Sequence, residues 1–470
     1  MYSQSDTICA ISTPPGRGAI AVIRCSGPDA LGIAGKIIQL PAGKGKLSDQ
    51  PANTVHFSLV YDGSQVIDQV MVSLLKNPHS YSGEDTVEIS CHGSPYIQKR
   101  ILELLVQSGA RMATAGEFTL RAFLNGKLDL TQVEAVADLI SSGSRASHRV
   151  AMHQMRGGFT GAIKKLRDKL LTFTSLVELE LDFSEEDVEF ADRGQLKALL
   201  DEITEVLKSL SNSFTLGNVI KRGIPVAIVG KTNSGKSTLL NLLLREEKAI
   251  VSEIEGTTRD SIEDLISIRG LHFRLIDTAG LRHTEDVIEK LGIQRTWQKI
   301  GQASIVIQVL DTRSKPEEIT QLGKKIRAAE GEDEKHRIIV LNKMDLVTAD
   351  KLELILRDLK AVLDKNEILI PISAKSGENL PLLEQALMDA CGITTTNEND
   401  VIITNVRHYE ALENALQAMK RATDGLNSGL TGDLLSQDIR EAIHYLGEIT
   451  GEITNDEVLG NIFKNFCIGK

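Results

Sequence analysis

The run Gly230–Lys231–Thr232–Asn233–Ser234–Gly235–Lys236–Ser237 combines residue types and spacing that suit phosphate. Its glycines let backbone N–H groups turn inward onto oxygens, Lys236 puts a point charge on the outer phosphates, and the Ser237 hydroxyl can ligate Mg²⁺. The apolar, β-prone Ile224–Val229 leads into it and the helix-prone Thr238–Leu244 follows. A strand, a glycine loop and a helix N-terminus in that order form an anion cradle, which an isolated glycine loop would not. Gly230, Asn233, Ser234, Gly235, Lys236, Ser237 and Thr238 are the expected phosphate contacts.

Three further stretches fit a nucleotide. Asp277–Thr278–Ala279–Gly280 follows the apolar strand Phe273–Ile276. Its carboxylate can hold Mg²⁺ through water, and Gly280 can offer an N–H to a γ-phosphate. Asn342–Lys343–Met344–Asp345 follows Ile338–Leu341, and Asp345 can accept both N1–H and the 2-amino group of guanine. Adenine lacks that donor pair, so the pattern selects GTP. Ser373–Ala374–Lys375, after Ile368–Ile372, can close over the guanine carbonyl. Between the cradle and Asp277 lies Ser252–Glu253–Ile254–Glu255–Gly256–Thr257–Thr258, placed as a switch loop whose Thr258 hydroxyl can complete the Mg²⁺ shell. Four motifs in the required order, each after a strand, predict a GTPase. Ras-like enzymes follow Asp-x-x-Gly with a glutamine that orients water, but here Leu281 stands there. Glu289, 12 residues beyond Asp277, is the carboxylate best placed to position water instead.

The elements that must position these residues divide the chain. At 470 residues the length suggests about three domains. Residues 1–127 read as α+β, with strands near Thr7–Ser12, Ala19–Arg24, Val55–Val60, Val66–Leu74 and Thr86–Cys91 and helices over Ser94–Gln107 and Gly116–Leu124. Residues 128–217 carry helical periodicity, opened by a capping box with Thr131 as cap and Glu134 reaching back, and ended near Gly217. Residues 218–381 alternate strand and helix, as in a doubly wound parallel sheet. Helical texture returns over 382–470. The fold class is therefore multidomain α/β, with an α+β N-terminal domain and a P-loop GTPase domain inserted between two halves of a helical domain.

Apolar residues make up 41% and charged residues 25%, as in soluble globular proteins. A net charge of −11 is not the footprint of a nucleic-acid binder, so any such contact must be local or made by a partner. The basic run Lys164–Lys169 is one candidate, though such a run is more often a solvated helix face. The five cysteines, at 9, 25, 91, 391 and 467, have neither zinc nor secreted-disulfide spacing. The N-terminus has no signal-peptide pattern and no stretch is long enough to span a membrane, which suggests the cytoplasm.

From end to end these residues resemble the MnmE (TrmE) family of tRNA modification GTPases. The resemblance is carried by Thr13–Gly18, Gly83–Asp85, Phe123–Thr131 and the Cys467–Ile468–Gly469–Lys470 motif, besides the GTPase motifs. It implies modification of wobble uridine at carbon 5 in certain tRNAs, jointly with an FAD-containing partner, MnmG, in a heterotetramer. It implies a tetrahydrofolate one-carbon unit, as the 5-formyl or methylene derivative, bound in an aminomethyltransferase-like N-terminal domain that also forms a homodimer. By motif match, Arg24, Glu84, Lys127 and Lys470 would contact the folate, and Cys467 would be catalytic. K⁺ would be held by Asn233, Ser252, Ile254 and Thr257, and Mg²⁺ by Ser237 and Thr258, with turnover stimulated when two GTPase domains meet. Thr232 replaces the family's usual proline and Ser252 its usual threonine. The competing reading is a GTPase switch for ribosome or complex assembly. It shares the nucleotide site but needs neither a folate pocket nor the terminal thiol.

Overall fold

The computed structural model describes residues 6–42, 44–182, 193–231, 233–246, 264–276, 301–313, 317, 324, 335–363, 367–391, 401–428, 430, 432–454, 456–464, 466 and 468–469. They form two compact units. One comprises residues 1–140, 152–204 and 411–470, the other residues 141–151 and 205–410.

The first unit is built on a seven-stranded sheet of β1 (Ile8–Ile11), β2 (Ile20–Ser26), β3 (Ile38–Gln39), β4 (Thr54–Asp62), β5 (Gln65–Leu75), β6 (Thr86–His92) and β7 (Arg111–Met112), in the order β3-β4-β5-β6-β2-β1-β7. All neighbours run antiparallel except β1 and β7. Strand alternation sorts the faces. Ala21, Ile23 and Cys25 of β2 enter a core with Ile33, Ile101 and Leu105, while Val22, Arg24 and Ser26 lie on the opposite side. Each fully buried aliphatic or aromatic side chain adds about 1.5–3 kcal/mol. The helix Pro95–Gln107 starts on proline, which needs no partner for an N–H there, and buries Ile101, Leu104 and Leu105.

The helical part of this unit includes Leu130–Ser141 and the long Gly158–Asp182, which packs against Gly432–Thr450. Leu130–Ser141 corrects the expected cap. Asp129, not Thr131, is the capping residue: its carboxylate accepts from the Gln132 N–H at 2.9 Å, and the Gln132 side chain accepts from the Asp129 N–H at 3.0 Å. Thr131 lies inside the helix, 1% exposed, donating to Asp129 at 2.6 Å. The earlier start lets Leu130 and Val133 reach a core shared with Leu120, Leu459 and Phe463, and that burial selects between two overlapping capping patterns.

The second unit holds a six-stranded sheet of β8 (Ile224–Gly230), β9 (Asp264–Ile268), β10 (Leu271–Ile276), β11 (Ile305–Asp311), β12 (His336–Asn342) and β13 (Glu367–Pro371), ordered β13-β12-β11-β8-β10-β9. Only β9 and β10 pair antiparallel. The sheet is buried on both faces. Ile305, Ile307 and Val309 of β11 join Leu239, Leu243 and Phe273 on one side, while Leu310 joins Ile339, Leu341 and Leu359 on the other. The helix expected to end near Gly217 instead runs Arg193–Arg222. A Cβ at Gly217 would come within 1.8 Å of the Ile403 carbonyl, so that glycine permits a close chain crossing rather than a helix stop. The stop falls at Gly223, whose φ of +80° is the left-handed conformation that ends helices. Among the described residues, no helix is long and apolar enough to cross a membrane.

Candidate functional site

The parallel strands of the second unit end together. Val309 pairs with Gly230, Asp311 with Asn342, and Leu341 with Pro371, so the loops after β8, β11, β12 and β13 share one rim. This carboxyl end is where ligands bind in open α/β sheets.

The cradle 230–237 leaves β8 and enters the helix Lys236–Glu246. Gly235 has φ +97°, and a Cβ there would lie 2.0 Å from the Asn342 amide nitrogen, so no other residue fits without displacing that side chain. Lys236 Nζ donates to the carbonyls of Gly230 at 2.7 Å and Lys231 at 2.8 Å, leaving one of its three protons for a ligand. Burial lowers its pKa. Ser234 Oγ is buried and has no hydrogen-bond partner among the described residues. The helix-opening N–H groups, the lysine proton and this hydroxyl make a donor set suited to phosphate. Asn233, with φ +62°, is exposed at the loop tip, and Ser237 sits in the first turn of the helix. Amide and hydroxyl oxygens suit hard cations such as K⁺ and Mg²⁺.

One side chain ties three motifs together. Asn342 is 2% exposed; its Nδ2 donates to the Ser234 carbonyl at 2.9 Å, while its Oδ1 accepts from the N–H groups of Lys343 at 2.8 Å and Ala374 at 3.0 Å. Lys343, at φ +68°, reaches back so that its Nζ donates to the Asn233 carbonyl at 2.5 Å. Asp345 lies in the short turn Met344–Leu346 and is exposed, as is Lys375, while Ser373 is fully buried. The rim thus joins Gly230, Asn233, Ser234, Gly235, Lys236, Ser237, Thr238, Asn342, Lys343, Asp345, Ser373, Ala374 and Lys375. The expected switch residues Ser252–Thr258, the stretch Asp277–Gly280 and Glu289 lie outside the described residues, as do Thr232, Cys467 and Lys470.

The first unit holds the other expected residues. Glu84 accepts from Ser26 Oγ at 2.8 Å and from Arg121 Nη1 at 3.1 Å. Arg24, two residues before Ser26 on the same face of β2, pairs with Glu88 at 2.8 Å and lies over the rings of Tyr81 and Phe118. Lys127 is exposed, and its stem passes 3.3 Å from where a Cβ on Gly83 would stand. Arg24 is thus paired with Glu88 and Glu84 with Arg121, while Lys127 is exposed beside Gly83. Nearby, Gly469 accepts from Ser12 Oγ at 3.0 Å and Ile468 bridges to Ala115.

Sequence reasoning missed the ion network behind Glu84. Arg121 is 2% exposed and bonds Glu84, Asp6 and Glu117; Arg111 bonds Asp6 and Glu117. Burial pushes the Glu117 carboxyl up, but Arg111, the Thr114 N–H and Arg121 outweigh it, and the net shift is downward. Arg111 lowers Asp6 more than burial raises it, and Arg121 adds to that. The one visible signal was a lone charged residue, Arg121, within the otherwise uncharged Phe118–Leu124.

Comparison with known proteins bears on the whole chain. The model of the TrmE N-terminus, described as a GTP-binding protein, matches residues 7–127, and the MnmE helical-domain model matches 130–467. A protein of Bacteroides thetaiotaomicron named tRNA modification GTPase MnmE is 56% identical over 99% of both chains. Proteins of the same name from Bacteroides fragilis and Christiangramia forsetii are 54% and 52% identical, again over 99% of each chain. This chain belongs to the MnmE family. As an MnmE protein it is a GTPase, and its N-terminal, helical and nucleotide-binding parts are those of the family.

Proposed function

We propose that this MnmE protein couples GTP hydrolysis to tRNA modification, adding a carboxymethylaminomethyl-type group to carbon 5 of wobble uridine. In this reading it works in the cytoplasm as a homodimer, in a heterotetramer with the FAD-binding partner MnmG. Residues 1–127 form the folate and dimer domain, 128–217 and 382–470 the helical domain, and 218–381 the GTPase domain.

The nucleotide site would use Lys236 and the helix-opening N–H groups on phosphate, and Asp345 with Lys375 on guanine. Ser237 and Thr258 would hold Mg²⁺, which neutralises phosphate charge. Asn233, Ser252, Ile254 and Thr257 would hold K⁺ in place of an arginine finger, and Glu289 would orient the attacking water. Lys127, Arg24 and Lys470 would meet the carboxylates of a tetrahydrofolate derivative, and Glu84, oriented by Arg121 and Ser26, would accept from its pterin.

The observation favouring this over an assembly switch is the seat of Ile468 and Gly469 against Ala115 and Ser12. Both described residues of the terminal motif thus contact the unit that carries Arg24, Glu84 and Lys127. The test is a mass spectrum of wobble nucleosides from a strain lacking the protein. Deletion should remove the modified uridine, wild type should restore it, and Cys467→Ser should fail to restore it while hydrolysing GTP near normally. Unchanged nucleosides after deletion would leave the assembly switch as the better reading.

A further inference from the structure

Asp311 belongs to none of the nucleotide motifs. It ends β11 directly opposite Asn342 of β12, on the rim that carries the cradle and the base-reading loop. Its side chain is 14% exposed. Oδ1 accepts from the Arg313 backbone N–H at 2.8 Å, and Oδ2 accepts from Arg313 Nη2 at 2.8 Å. The same Oδ2 lies 3.5 Å from Lys343 Nζ, whose shorter bond runs to the Asn233 carbonyl at 2.5 Å. Burial works to raise the Asp311 pKa, but Arg313 and then Lys343 outweigh it, so the carboxyl is held below its ordinary value.

Three segments therefore meet at one ammonium group: the phosphate loop through Asn233, the base-reading loop through Lys343, and the end of β11 through Asp311. A lysine stem has four carbons and no preferred fork of donors, so a fixed position for its head requires fixed acceptors. The Asn233 carbonyl alone is a partial charge on a loop tip. Asp311 supplies a full charge from the end of a strand buried on both faces.

We propose that Asp311 is a positioning residue for guanine-nucleotide binding, acting through Lys343 to hold the base-reading loop and the phosphate loop at one spacing before nucleotide arrives. Asp311 also shapes the turn after β11 through the Arg313 N–H. That role would be independent of Lys343, and a double-mutant cycle separates the two.

The experiment measures binding of a fluorescent GDP to the full chain carrying Asp311→Asn, Lys343→Met, or both. Asparagine keeps an acceptor for the Arg313 N–H. Asp311→Asn should weaken binding about tenfold, which is the order of one lost charge contact. Lys343→Met should weaken it at least as much, and the double variant should bind no more weakly than Lys343→Met alone. Asp311→Glu should recover part of the loss. Asp311→Ser, a second neutral variant, must show the same lack of additivity. Wild-type affinity in Asp311→Asn, or losses that multiply in the double variant, would overturn the proposal.

Discussion

The single bond set most worth breaking is that of Asn342. Replacing it with alanine removes an acceptor from two N–H groups, those of Lys343 and Ala374, and a donor from the Ser234 carbonyl. Each buried polar group left without a partner costs about 1–3 kcal/mol. Lys343 is half-buried and can recover water, whereas Ala374 and Ser234 are buried and cannot recover it readily. A net loss of about 3 kcal/mol is therefore expected in the ligand-free nucleotide-binding unit, allowing for relaxation of the loops. Binding should suffer further, because the same change leaves the Lys343–Asn233 bond as the remaining described tie between the phosphate loop and the base-reading loops. A loss of about 3 kcal/mol in binding is more than a hundredfold in Kd. The assays are urea unfolding of the ligand-free protein and titration with fluorescent GDP. Asn342→Asp sharpens the test. It keeps an acceptor for Lys343 and Ala374 but turns an oxygen toward the Ser234 carbonyl, so it should spare stability more than binding. Wild-type unfolding and wild-type affinity in Asn342→Ala would refute the view that this side chain holds the rim together.

Two further outcomes are expected. Folded Glu117 titrates below its unfolded value of about 4.3, so its contribution is fully present above that pH and is lost as pH falls through the folded value. Thermal unfolding followed from pH 7 to pH 3 should show wild type losing stability below about pH 4.3, and Glu117→Gln, weaker at neutral pH, losing less; parallel curves would remove Glu117 from the account. GTP hydrolysis should be stimulated by K⁺ and not by Na⁺, which holds its water too tightly, and Asn233→Ala should lose that response; equal wild-type rates in the two salts would end the cation argument.

The nucleotide rim was legible because phosphate binding constrains backbone shape, and shape constrains residue type. Gly235 has to be glycine, since both its φ and the nearness of Asn342 forbid a side chain. Asp311 and Arg121 were illegible for the opposite reason. Each is one charged residue whose role depends on partners distant in sequence, such as Lys343 32 positions away and Asp6 115 positions away. The strands of the first sheet were readable where four or more apolar, β-prone residues run together, while the two-residue β3 and β7 carry no period at all. At the start of Leu130–Ser141, Asp129 with Gln132 and Thr131 with Glu134 both spell a cap, and only the burial of Leu130 and Val133 decides between them. Gly217 was misread because a glycine that admits a crossing chain looks the same in sequence as one that ends a helix.

The seat of Gly469 on Ser12 also sets a schedule. The two residues lie 457 positions apart, and at roughly 5–20 residues per second a ribosome needs on the order of 20–90 s to make the second after the first. Through that interval the strands β1 to β7 can pair, since all of them are made early. The apolar group of Leu120, Leu130 and Val133, however, has no Leu459 or Phe463 to cover it. The nascent first unit thus waits with a greasy flank exposed while the whole GTPase segment is synthesised. A chaperone that shields this flank, or a second nascent chain that sticks to it, would decide how much of the protein reaches its native state.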